Sequence, residues 1–383
     1  MSQEERLYRD ASTTMEMLKE VKKSQRDLIV PHSLMDFRAI DGQIWLDVKD
    51  RSGEVASHAP LQRGALQQAC IRTGSKGTQS VPFAYLDKLI DAGGQDEAAA
   101  NLNFWGEQTA LTQSLVRTWS GGVRAMVSDS YRIIDNFDVA ISAMDEFDKI
   151  NAGGGDVRLR NMFADERKLS IQAINYGASF DLNEMGSGTA RRPSGYGGTG
   201  VDLYHPMVTI SNSDTGHGRT SIRPGLFRTV CNNGLVAVQE FAQTHLGARQ
   251  DESLFLSQET IRAKNELLFV EMRDWIRSSM NETVMREIGE RLGVLKSDRV
   301  ADVEVCVTGI ADGCGLNEDE AKTLLNKFIG QEAQTHGANG YAMLQAITEM
   351  AHESDDPRRG LELEEFAGKI AAREVALVGL IGD

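Results

Sequence analysis

The chain has 383 residues, 41% of them hydrophobic and 25% charged, which excludes a disordered or fibrous protein and leaves room for one large domain or two to three ordinary ones. The net charge of −15 excludes indiscriminate coating of duplex DNA, but its placement is uneven: 13 Lys and Arg meet 13 Asp and Glu from Leu111 to Leu235, whereas the count from Lys296 to Asp383 is 8 against 17. No stretch approaches the ~18 apolar residues of a membrane span, and the first thirty residues are dense in Glu, Lys and Arg, so a cytoplasmic protein with no membrane partner is expected.

Residues from about Glu4 to Asp27 read as a charged, mildly amphipathic helix stopped by Pro31. Asp41-Gly42, between Phe37 and Val48, predicts a hairpin, Pro82 opens a short helix, and Gln95 to Trp105 forms another. From Leu115 to Ser128 two strand-like runs flank Gly121-Gly122, a pair suited to a type I′ turn. Counting outward from that turn sets Trp119 against Arg124 and Arg117 against Met126. Arg117, Trp119, Arg124 and Met126 then share one face, and Val116, Thr118, Ala125 and Val127 the other. An indole between two guanidinium groups has the composition of a base-stacking platform with phosphate clamps, although a Trp–Arg pair packed under a helix accounts for it equally.

Asp135-Asn136 caps a helix whose apolar residues Phe137, Ala140, Ile141, Met144 and Phe147 step by three and four. Asn151 to Gly155 is a loop, and Val157 to Tyr176 carries Arg158, Arg160, Arg167 and Lys168 in strand or helix. Met185 to Gly200 is a long Gly-rich loop bearing Arg191, Arg192 and Tyr196, able to close over a strand or to be a plain surface insertion. Within Ser211 to Leu235, Arg219, Ser221 and Arg223 alternate with Thr220 and Ile222. A strand here puts both guanidinium groups on one face, to meet phosphates or simply to be the solvated side of a half-buried strand.

Beyond Leu235 the chain turns helical. Ile261, Leu268, Met272, Trp275, Met280, Val284, Ile288 and Leu292 predict a long helix or a broken pair burying one stripe. Asn317 with Glu320 starts a helix ended by Gly330, and two more are expected near Tyr341–Glu353 and Leu361–Arg373. The acidic C-terminal part is either a set of solvated helix faces or a cover for a basic groove.

Several chemistries lack their residues. Cys70, Cys231, Cys306 and Cys314 are scattered, with a glycine-bearing loop read between the last two, so reduced thiols and no metal are expected. No Walker spacing occurs, so no nucleotide cofactor is expected. Asp214, His217 and Ser221 have nothing to fix them as a nucleophilic set. Asp129, Asp135 and Asp138 are too ordinary among 56 acidic residues to mark a magnesium nuclease, and Asp135 is taken as a cap.

RAMVSDSYRIIDNFDV from Arg124 to Val139, the 211–235 segment, and ANGYAMLQAITEMAHE followed by LELEEFAGKI resemble the phage- and plasmid-encoded proteins grouped as domain-of-unknown-function family 932. The resemblance covers roughly Leu115 to Ile370, and the Gly-rich loop before Tyr204 is longer than the family pattern. By analogy with single-strand annealing proteins of phage recombination, it implies an α+β fold with an antiparallel β-sheet core, packed helices and a helical C-terminal part. Three regions are expected: residues 1–110, an arm with an α/β segment; 111–240, a β-rich nucleic-acid-binding core; and 241–383, helical and acidic. The expectation is an ATP-independent, homo-oligomeric protein, ring or filament, that binds and anneals single-stranded DNA and is not an enzyme. Its partners would be a phage exonuclease or a host single-strand binding protein. Arg117, Trp119, Arg124, Arg132, Arg191, Arg192, Arg219, Arg223 and Arg228 are the candidate contacts. The alternatives are a phage or plasmid structural or interaction protein, and a metal-dependent nuclease.

Overall fold

A first helix, α1 (Ala11–Ser24), starts where the Asp10 carboxylate accepts the Thr13 amide and buries Thr14, Leu18 and Val21. It ends at Ser24, short of the expected Asp27, and Pro31 does not stop it; the expected start near Glu4 lies outside the described residues. The chain turns extended at Gln25 and forms a strand, β1 (Arg26–Pro31), because a partner strand far along the chain supplies its ladder. The computed structural model describes residues 10–73, 81–109, 111–181, 203–229, 233–236, 241–243, 258–374 and 380–381.

The predicted hairpin is present as β2 (Met35–Ile40) and β3 (Gln43–Lys49), joined by Asp41 and Gly42 at φ 48° and 76°, the positive pair that a type I′ turn requires. A third strand, β4 (Val55–Pro60), adds to β3, and helix α2 (Arg63–Arg72) follows; neither was expected. Helices α3 (Phe83–Asp91) and α4 (Gln95–Gln108) match the sequence reading. Phe37, Ile44, Leu46 and Ala59 line one face of this sheet in a core shared with Ala65, Ala69, Leu86 and Leu102 of the three helices.

Strands β5 (Gln113–Trp119) and β6 (Gly122–Ser128) form the second hairpin, but its turn is Ser120-Gly121, one residue earlier than predicted. Trp119 therefore faces Gly122 and Thr118 faces Val123, after which the register shifts and Arg117 faces Ala125. Arg124 is the extra residue of a β-bulge. The bulge lets Val123 and Met126, three apart, enter the same core as Val116, while Ala125 joins a separate cluster with Leu115 and Val127. Gln68 of α2 anchors it by accepting the Met126 amide at 2.8 Å. The predicted faces of Met126 and Ala125 are thus exchanged. β1 completes this sheet beside β5, so the expected boundary between residues 110 and 111 cuts through a sheet.

Helix α5 (Asn136–Ala152) buries Val139, Ala140, Ala143 and Phe147, with Ile141 left outside. The central antiparallel sheet follows: β7 (Val157–Ala164), β8 (Leu169–Asn175), β9 (Phe180–Asp181), β10 (Leu203–Asn212), β11 (Thr220–Arg228), β12 (Asn233–Val236) and β13 (Phe241–Gln243). Its order is β12-β11-β10-β8-β7, with β13 also on β11 and β9 on β10. Ile171, Ala173, Val208, Ile210 and Ile222 turn one face toward α1, α5 and α6 (Gln258–Ser279). The opposite face carries two polar rows, Ser170, Ser211, Ser221 and then Gln172, Thr209, Arg223, each matched strand to strand.

Of the two expected arrangements, a long helix or a broken pair, the chain forms the pair: Asn281 caps α7 (Glu282–Leu295), and Ile276 rather than Trp275 takes the buried place on α6. After β14 (Arg299–Val300), the span from Cys306 to Cys314 is helix α8 (Val303–Cys314), not a loop. The predicted capping box of Asn317 and Glu320 opens α9 (Glu318–Lys327). The chain runs on through a π-turn (Phe328–Glu332) into α10 (Ala333–His336) and ends at Gly337, φ 83°, rather than at Gly330. Helices α11 (Gly340–His352) and α12 (Pro357–Ala371) match the expected pair, and β15 (Leu380–Ile381) meets β14. Tyr204 and Leu226 of the sheet share a core with Leu292, Tyr341, Leu344, Phe366 and Ile370. The architecture is α+β, with antiparallel sheets, packed helices and a helical C-terminal part. Among the described residues, no helix is long and apolar enough to cross a membrane.

Candidate nucleic-acid interface

The arginines of the second hairpin point inward. Arg117, 0% exposed, donates from Nε to Asp27 (2.8 Å), from Nη2 to Asp135 (2.7 Å) and from Nη1 to the Asp214 carbonyl (2.5 Å). Arg124 donates to the Asp214 carboxylate at 2.6 Å, and both arginines reach Gln25 Oε1 at 3.2 Å. Because the bulge turns Arg124 to the side of Arg117, the two do share a face as predicted, but that face is the junction of three chain segments. Asp135 stands at the N-cap of α5 without bonding its amides; its carboxylate is taken by Arg117 and by Lys22 at 2.6 Å. Burial pushes the Asp135 carboxyl up, but the two cations outweigh it and hold it at about 2. Burial likewise works against the Arg117 charge, and Asp214, Asp27 and Asp135 more than restore it. A phosphate has no path to either guanidinium. Trp119 is half-buried, and the cation–ring contacts among the described residues involve Phe83, Tyr176, Phe227 and Tyr341 instead.

The other candidates are dispersed. Arg132 bonds Asn265 (2.8 Å) and the Lys264 carbonyl (2.6 Å), tying the chain before α5 to α6. Arg228 is 2% exposed and meets Gln345 (3.2 Å) and His336 (3.1 Å). On β11, Thr220 and Ile222 do face opposite to Ser221 and Arg223, but both faces are covered: Ser221 is buried, and Arg223 pairs with Glu365 of α12 at 2.6 Å. Arg160 pairs in the same way with Glu364 at 2.5 Å. Arg191, Arg192 and Tyr196 lie outside the described residues. The Asp214 carboxylate is held by Arg124 and Asn136, and His217 directs Nδ1 to Thr215 (3.1 Å), so Asp214, His217 and Ser221 do not line up as a relay. Among the described residues, no three or more His, Cys, Asp or Glu side chains are grouped to hold a metal ion.

Arg219 alone of the described candidate arginines is exposed. The turn between β10 and β11 is fastened to the turn between β7 and β8, where Thr215 Oγ1 donates to the carbonyls of Glu166 (3.2 Å) and Arg167 (3.3 Å). The Asp165 carboxylate accepts the amides of Arg167 and Lys168 at 2.7 and 2.8 Å and so shapes the turn that presents both. Gln68 donates to the Thr215 carbonyl at 2.5 Å, and a Cβ on Gly64 would lie 2.8 Å from His217, so only glycine lets α2 come this close. Arg63, the first residue of α2, is thereby brought beside the same corner, with its side chain 56% exposed and paired to Asp87. Arg63, Arg167, Lys168 and Arg219 come from three separate stretches of chain. The sequence marked Arg167 and Lys168 without placing them, and nothing in it singled out Arg63.

The family model described as "Domain of unknown function (DUF932)" matches residues 125–364. The match begins in β6, just past Arg124, and ends in α12, so it takes in the central sheet, both basic turns and α5 to α11. No curated protein and no solved structure matches the chain.

Proposed function

The chain belongs to the Domain of unknown function (DUF932) family, and on that footing we propose that it is a single-stranded DNA binding and annealing protein that works without nucleotide hydrolysis. The observation that carries the reading is the corner where Arg63, at the start of α2, lies beside the two fastened turns that carry Arg167, Lys168 and Arg219. Phosphates are met by cations at the surface, and Arg63 and Arg219 of the corner are exposed where Arg117 and Arg124 of the second hairpin are buried. Four such contacts on a single strand give a salt slope of about −3, a modest grip from which paired strands can leave. A homo-oligomer, ring or filament, would align successive corners along one strand. An exonuclease that exposes single strands, or a host single-strand binding protein, is the partner such work calls for. Salt-titrated binding of a labelled single strand, followed by annealing of its complement, tests the proposal. Binding that is absent at low ionic strength, or indifferent to Arg167→Glu with Arg219→Glu, would sink it.

A second reading, a structural or interaction protein of a phage or plasmid, draws on the acidic C-terminal helices, which take Arg160 and Arg223 of the sheet through Glu364 and Glu365. Glu365→Lys separates the two. A covered DNA binder gains affinity at low salt, whereas an interaction protein gains none. Degradation of the same labelled strands only when magnesium is present would favour a nuclease instead.

A further inference from the structure

The outer face of the sheet β2-β3-β4 carries an assembly unlike a solvated strand face. Strand register sets Arg38 beside Trp45 and Asp36 beside Asp47, with His58 opposite Asp47 on the third strand. All five point away from the core formed by Phe37, Ile44 and Leu46. The imidazole of His58 stacks on the Trp45 indole with centroids 4.3 Å apart and planes 23° from parallel. Its Nδ1 is bound by Asp47, whose side chain is 3% exposed and also takes Arg38 Nε at 3.0 Å. The ring is thus fixed in orientation, yet the side chain is 42% exposed. β4 bulges just before His58: the register sets Val48 against Ser57 and Lys49 against Val55, so Ala56 is the extra residue, and Ala56 and Val55 are both exposed. Trp45 holds its indole N–H buried without an acceptor, a cost that a purely packing residue such as Phe or Leu would not carry.

A flat, oriented aromatic pair whose outer ring is exposed to solvent is what a planar heterocycle stacks on. Around it Arg38 and Lys49 are balanced by Asp36 and Asp47, with Lys49 paired to Asp36 at 3.0 Å. Charge therefore contributes little, and stacking must supply the grip. We propose that the Trp45–His58 face binds an unpaired nucleobase, stacked on the exposed imidazole of His58. The inference stands apart from the basic corner, because a mononucleotide should bind here whether or not the corner holds a strand. It also carries the opposite salt signature, with affinity nearly independent of ionic strength.

The test uses the full chain with two probes, 2-aminopurine deoxyribonucleoside monophosphate and a single-stranded oligonucleotide with one internal 2-aminopurine, both of which lose fluorescence on stacking. The expected result is quenching that persists at high salt for the mononucleotide. It should weaken at least about fivefold, the equivalent of about 1 kcal/mol, in His58→Ala and in Ala56→Leu, which adds bulk beside the histidine without replacing it. Circular dichroism checks that both exposed-site variants stay folded. Quenching of the oligonucleotide alone, lost in both variants, supports the site with a strand as the source of the base. No quenching of either probe, or quenching unchanged in both variants, overturns the inference. If Arg167→Glu with Arg219→Glu abolishes strand binding while His58→Ala does nothing, the nucleobase site fails and the basic corner stands.

Discussion

Two sets of cations in this molecule have nearly the same composition and opposite fates. At the junction of α1, the second hairpin and α5, Arg117 and Arg124 are surrounded by Asp27, Asp135 and Asp214 and are almost wholly removed from water. At the corner of the two turns, the Asp165 carboxylate takes the backbone amides of Arg167 and Lys168, and Thr215 ties the turn that leads to Arg219 to the carbonyls of Glu166 and Arg167. The difference lies in what positions each residue. Where carboxylates take the guanidinium itself, the arginine becomes part of the fold; where a carboxylate or hydroxyl takes the backbone instead, the turn is fixed by bonds that do not use the charged group.

Replacing Arg117 by Met should break that comparison most severely. It leaves Asp135 and Asp27 without their buried partner, and unfolding by urea should show a loss of about 3–5 kcal/mol. Acid should act on the same network more gently. Asp135 has its folded value near 2, below the ordinary 3.8, so its contribution is full above about pH 4 and is lost as pH falls toward 2. That loss is about 2 kcal/mol, and Asp135→Asn should remove this part of the pH dependence, measured by unfolding at a series of pH values. Arg223, whose pair with Glu365 has side chains 17% and 25% exposed, lies between the extremes, and Arg223→Ala should cost about 1 kcal/mol by the same measurement. Arg167→Glu with Arg219→Glu should shift stability by less than about 0.5 kcal/mol while lowering the salt slope of strand binding by about 0.7 per lost contact. A large stability loss there would show that the corner, too, is structural.

The legible parts of the chain were those decided within a few residues. Asp41-Gly42 specifies its turn by backbone angles alone, and Asn317 with Glu320 closes a reciprocal cap over three residues. The periods of α11 and α12 are equally local. The bulge at Arg124 was hidden because it answers to Gln68, 58 residues earlier, and to the core that Val123 and Met126 must both enter. The burial of Arg117 was hidden for the same reason: its partners stand 90, 18 and 97 residues away. Alternation along β11 correctly divided Thr220 and Ile222 from Ser221 and Arg223, yet could not reveal that α12 covers the polar side. The basic corner and the Trp45–His58 stack arise from tertiary meeting of separate segments, so neither has a spacing to read.

The pairing of β1 with β5 also sets a timetable. Asp27 and Arg117 are 90 residues apart, so at ~5–20 residues per second the ribosome needs roughly 5–18 s after making the first before the second exists. For that interval β1, with its exposed Leu28 and Ile29, has neither ladder nor counter-ion. Newborn chains are therefore most open to capture by chaperones, or to mispairing with a neighbouring nascent chain, at this arm, and slowing synthesis between residues 31 and 113 should lower the yield of folded protein more than slowing it anywhere after the hairpin has emerged.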